Sequence, residues 1–143
     1  MWADTLLVAE RAHLHILQAW GGVAVAIGLV LVATLGRLRR SPLLFHFGAQ
    51  CVVWGAVESL FAFTALRSLA LRDLGGATQL DRLLWLNLGL DTGYVAVGAA
   101  VALSGWLLGR RHGALGAGLA VAVHGLALFL LHATFLLQLE QFV

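Results

Sequence analysis

Four stretches of this chain, about 12–36, 42–66, 83–109 and 113–139, carry almost no charge and are broken mainly by arginine-bearing segments. A helix needs about 20 apolar residues, at 1.5 Å of rise each, to cross ~30 Å of hydrocarbon. All four stretches are that long. The expectation is an all-α polytopic membrane protein: a single domain over 1–143, with four transmembrane helices forming two antiparallel hairpins of a four-helix bundle. The chain is 61% hydrophobic and 11% charged, outside the range of soluble domains. Its 143 residues leave no room for a second domain.

The boundaries carry helix chemistry. Ser41 followed by Pro42 reads as an N-cap with proline at the first helical position, directly after Arg37, Arg39 and Arg40. Thr78 with Asp81 resembles a capping box and, after the Gly75–Gly76 breaker, is expected to start the third helix. Gly109 and Gly113 bracket Arg110, Arg111 and His112 in a tight turn. Asp4 is placed to cap an N-terminal helix. Met1 to Glu10 carry acids rather than a basic n-region, so the first span is expected to stay in the mature chain. The lone Cys51 excludes an internal disulfide.

Arginine placement sets the expected orientation. The two short turns at 37–40 and 110–111 hold more of it than the opposite side, which has Arg11, Arg67, Arg72 and Arg82. The positive-inside rule then puts both turns in the cytoplasm and both termini outside, in a bacterial inner membrane. These arginines flank spans and meet lipid headgroups, so the basic balance does not argue for nucleic acid. Trp85 and Trp106 lie ~31 Å apart along one helix, the separation of the two bilayer interfaces. Trp54 falls mid-span and is expected to pack inside the bundle.

Small residues at four-residue spacing predict close helix contacts: Gly89 with Gly93, Gly105 with Gly109, and Gly118 with Ala114. Abundant glycine in an apolar chain is the plainer explanation of the same pattern. The hairpins also look weakly related, with Val53-Trp-Gly against Val123-His-Gly. Either a duplication or chance in low-complexity sequence accounts for that.

Polar residues at membrane depth are the informative ones. Glu58 and Asp91 are the only carboxylates well inside spans, and neither has a basic residue in its own span. In hydrocarbon such a group must be protonated, paired, metal-bound or water-exposed. Asn87, Asp91 and Tyr94 share one helical face, and His46, Gln50, Trp54 and Glu58 form a drifting stripe. Glu58, Asp91 and His132 are therefore expected to meet at one level, with Asn87 nearby and Gln18 or His15 from the first helix. A hydrogen-bonded clamp, a metal or haem site, and a proton or ion route all fit such a cluster. His124, His132 and His15 are the candidate haem, pigment or metal ligands. His124 leads because Gly125 beside it would make room for a macrocycle. No cofactor is required by any motif, and no hydrolase, nucleotide or zinc-protease signature occurs.

The strings Gln50-Cys-Val-Val-Trp-Gly-Ala-Val-Glu58, Asn87-Leu-Gly-Leu-Asp-Thr-Gly-Tyr-Val-Ala-Val-Gly98 and Gly116-Ala-Gly-Leu-Ala-Val-Ala-Val-His-Gly125 resemble a family of small, uncharacterised bacterial four-helix integral membrane proteins. That family has Trp-Gly in its second span and Asn…Leu-Asp…Tyr in its third. The resemblance implies a fold and no activity. Glu58 and His124 stand where the family pattern has neutral amides.

The expected function is a non-catalytic subunit of a larger membrane assembly, because loops are too short for an extramembrane site and most surface faces lipid. Its partners would be the bilayer and other transmembrane helices or subunits, a second copy included. The rivals are a haem-, pigment- or metal-binding redox protein and a small proton or ion conductor.

Overall fold

The computed structural model describes residues 2–36, 38 and 40–140. They form four helices: α1, Trp2–Val30, continued by a π-helical turn over Leu31–Gly36; α2, Pro42–Arg67; α3, Leu74–Leu107; and α4, His112–Leu139. No strand occurs among the described residues. All four helices are long and apolar enough to cross a membrane. Arg37 and Arg39, on which the expected orientation leans, lie outside the described residues.

Local chemistry explains the helix ends. Ser41 caps α2, its hydroxyl accepting from the Leu44 amide, and Pro42 opens the helix. The turn into α4 has Gly109 at φ +90° and Arg110 at φ 55°, and the Arg111 amide closes it on the Gly105 carbonyl at 2.7 Å. α3 corrects the expectation. It starts at Leu74, not at Thr78, and its cap is Asp73, whose Oδ1 accepts from Gly76 N at 2.7 Å. Gly75 and Gly76 do not break the helix because first-turn amides have no intrahelical partner to lose. α3 therefore runs 34 residues, ~51 Å, well beyond a hydrocarbon core. α1 begins at Trp2 and already includes Asp4, the residue expected to cap an N-terminal helix.

Glycine seams hold each hairpin together, at a spacing the sequence reading did not weigh. A Cβ on Gly21 would lie 2.7 Å from the Gly55 carbonyl oxygen, and one on Gly28 2.6 Å from that of Gly48. In the second hairpin a Cβ on Gly98 would lie 2.5 Å from Ala122 N, and one on Gly118 would strike Ala102 N. The glycines on each helix are one heptad apart, so contacts recur every two turns, as near-antiparallel packing requires. Of the expected packing glycines, Gly105 and Gly118 sit in this seam. Gly89 and Gly93 do not: an added Cβ would meet no atom within 4 Å at either. Gly109 shapes the turn instead, and its surroundings are open too.

The hairpins meet through α2 and α4, where Gly116 abuts the Leu43 carbonyl. Among the described residues no Cα of α2 comes within 8 Å of one of α3. Near the termini, larger side chains set a wider spacing: Leu6, Ala77, Leu80, Leu84, Leu88, Phe135, Leu136 and Leu139 form a buried cluster joining α1, α3 and α4. Burying each leucine there contributes about 1.5–3 kcal/mol relative to exposure in water.

A mid-helix cleft beside two acid–imidazole pairs

The seam registers bring α4 histidines opposite the two carboxylates. His124 Nδ1–H donates to Glu58 Oε1 at 2.7 Å, and His132 Nδ1–H donates to Asp91 Oδ2 at 2.7 Å. All four side chains are buried. The imidazole partners of both acids come from α4. Glu58 and Asp91 face the same cleft without a hydrogen bond to each other. Each is bound to its own ring, and a buried pair of this kind is costly to break on one side because the survivor is left uncompensated.

Between α2 and α3 the missing helix contact leaves a lateral cleft of about 170 Å³. Glu58, Asn87, Asp91, Tyr94 and His132 line it with Trp54, Val57, Phe61, Leu90, Leu17 and Leu128. Trp54 and Tyr94 approach across the gap with centroids 5.1 Å apart. Glu58 Oε2 is buried without a hydrogen-bond partner. The cleft thus unites Glu58, Asn87, Asp91 and His132 from the expected cluster. α1 contributes Leu17 to it rather than Gln18 or His15. Gln18 is half-buried with Oε1 unpartnered, and His15 points outward.

His124 is placed differently from the haem-ligand reading. The space beside Gly125 belongs to α3: a Cβ there would lie 2.9 Å from the Asp91 carbonyl oxygen and from Tyr94 Cβ. Gly125 serves close helix approach and opens no macrocycle pocket. The Cys51 thiol and the Trp20 indole lie beside the same imidazole. No group of three His, Cys, Asp or Glu side chains among the described residues converges in a metal-binding arrangement.

Two features escaped the sequence reading. His13 is buried, stacked on Phe135 at 4.5 Å and 5.5 Å from the His132 ring. Glu10, one turn earlier, takes both ends of the Arg72 guanidinium, at 2.8 Å from Nε and 2.6 Å from Nη2. Those hydrogen bonds raise the Arg72 pKa above its ordinary value. His13 shares an i, i+3 face with Glu10, and that spacing was the available signal.

No curated protein and no solved structure matches the chain. A family model does, over residues 16–133, a range that takes in both acid–imidazole pairs and stops short of Glu10 and His13. The chain with this cleft belongs to DUF6992, a family of unknown function.

Proposed function

We propose that this is an integral membrane protein acting as a non-catalytic binding module, whose α2/α3 cleft takes the polar head of an amphiphile from the lipid phase. The observation that carries this reading is a lateral cleft at mid-helix lined by the buried Asp91–His132 pair and by Glu58, whose Oε2 stays unpartnered while Oε1 is held by His124. At about 170 Å³ the cleft is below the usual size of whole-ligand pockets. A head group fits, with its tail left in lipid. Each carboxylate already faces an imidazole, which favours a neutral head that both donates and accepts hydrogen bonds, such as a hydroxyl, over an ion. Its donor would satisfy Glu58 Oε2, and Trp54 and Tyr94 would flank it.

A fatty alcohol brominated beside its hydroxyl tests this directly. In nanodiscs it should quench Trp54 emission saturably, and Glu58→Gln should weaken that quenching at least five-fold. Equal, unsaturable quenching in both proteins defeats the reading.

A second reading, a subunit of a larger assembly, draws on the bare face at Gly89 and Gly93. These small residues carry no intramolecular contact, and Gly89 borders a groove of about 510 Å³ with Trp85, Thr92, Phe129 and Ala133. A helix from a partner or a second copy would gain van der Waals contact there. Isolation in mild detergent should recover such a partner with the parent chain and lose it with Gly89→Leu. Identical composition for both preparations removes the support. The orientation proposed, termini outside in a bacterial inner membrane, predicts that a cysteine replacing Leu38 is labelled only from the cytoplasmic side.

A further inference from the structure

Buried titratable groups lead from the cleft to a partly exposed charged side chain toward the termini. His132, bonded to Asp91 through Nδ1, has the His13 ring 5.5 Å away on α1. His13 shares a helix face with Glu10, and Glu10 is closed by Arg72, whose side chain is 31% exposed. Asp91, His132, His13, Glu10 and Arg72 thus lie in succession from mid-helix to the end that carries the 68–73 segment. The groups facing His132 are Asp91 from α3, His13 from α1 and, across the cleft, Glu58 from α2.

In the opposite direction a cavity of about 150 Å³ beside Gln50 has no titratable residue in its lining. From Glu58 the polar contacts reach His124 and the Cys51 thiol. Beyond them lie the contacts of Gly28 with Gly48, Gly98 with Gly118, Gly105 with Ala114 and Gly116 with Leu43, which are backbone and small side chains without a titratable group. His46 at that end is exposed and abuts Gly113, outside this seam.

We infer that the Asp91–His132–His13–Glu10 line is a proton route giving the cleft access to one membrane face alone, the face carrying Arg72. This rests on the membrane-spanning reading and adds a direction to the proposed site. Each step conserves protons: His132 accepts one at the ring nitrogen facing away from Asp91 and releases the Nδ1 proton to the Asp91 carboxylate. Ring reorientation restores the starting tautomer. His13 does the same between the Glu10 end and His132. The Glu10–Arg72 pair closes the mouth, because a carboxylate held at both ends by a guanidinium is a poor proton acceptor until the pair opens.

The test uses ligand-free protein in liposomes, so a failure of amphiphile binding and a failure of the route are told apart. Orientation is fixed by the side from which Leu38→Cys can be labelled. The infrared carboxyl band lost in Asp91→Asn is followed while pH is changed on one side. The expected result is a band that follows the pH on the Arg72 side and ignores the other. His13→Phe, which keeps the stacking on Phe135, should slow the response at least ten-fold. His13→Gln, which keeps polarity without a relaying ring, should slow it similarly if the Phe variant folds poorly. A band that follows the Arg-turn side, follows both sides equally, or responds at the parent rate in a folded His13 variant overturns the route.

Discussion

The two halves of this bundle solve helix packing in opposite ways. Toward the Arg turns, glycines let backbones touch: Gly28 against Gly48, Gly98 against Gly118, Gly116 against Leu43. Toward the termini, leucines and Phe135 hold the helices apart, and the space between α2 and α3 is the cleft. Side-chain volume at the contact sets interaxial distance. The glycine half gains van der Waals contact, and its cavity of about 150 Å³ beside Gln50, Gly98 and Gly118 has no titratable residue in its lining. The leucine half gives up that closeness and holds every buried carboxylate among the described residues: Glu10, Glu58 and Asp91.

The largest effect should come from filling the tight half. Gly98→Leu and Gly118→Leu place side chains where backbone atoms of the facing helix stand, and nothing soft is there to yield. Loss of folded, monodisperse protein in detergent is expected. Retention of the parent melting temperature would show that the seam is not what joins the hairpin.

Next is His124→Leu, which leaves Glu58 buried opposite an apolar side chain. A loss of about 3–5 kcal/mol is expected for breaking a buried pair on one side, read by denaturation in mixed micelles. Glu58→Leu combined with His124→Leu should recover part of it, because removing both partners leaves no orphan. Equal losses in the single and double variants would contradict the pairing.

Asp91→Asn should be milder, at ~1 kcal/mol, since the amide oxygen still accepts from His132 Nδ1–H. Asp91→Leu should cost ~1–3 kcal/mol by stranding that ring. Indistinguishable melting of the two variants would mean the hydrogen bond is not what matters. The smallest effect belongs to Gly89→Leu in the isolated chain, within ~0.5 kcal/mol, because its side chain would meet open space. A large loss there would move Gly89 into the tight half.

Much of this contrast could be read from the residues, in pieces. Four charge-poor stretches are enough for four long helices, and Ser41-Pro42 and Arg110 mark their ends by local chemistry alone. Asn87, Asp91 and Tyr94 fall on one face by periodicity, and the structure does turn Asn87, Asp91, Glu58 and His132 toward one cleft. Partner identity was not readable. Which α4 residue faces Glu58 depends on how far α4 slides along α2, and a single helix carries no record of that slide. His124 therefore looked like a ligand in search of a cofactor. The four-residue glycine spacing misled for a related reason: Gly89 and Gly93 fit a short crossing, whereas the helices run alongside one another and select glycines one heptad apart. Thr78 and Asp81 mimicked a cap because Asp73, the real one, preceded two glycines that discouraged any helix.

The two acid–imidazole pairs also differ in when they can form. Asp91 and His132 belong to the same hairpin, so under the proposed membrane-spanning reading their bond would be available as soon as α3 and α4 enter the bilayer together. Glu58 finds His124 on the other hairpin. During biogenesis the first hairpin would reach the membrane with an acid that has no partner, at a cost of about 3 kcal/mol if ionised at the centre. Arrival of α4 removes that cost. A chain halted after α2 should thus be held back at the insertion machinery or cleared by quality control, and Glu58→Gln should let the same fragment settle.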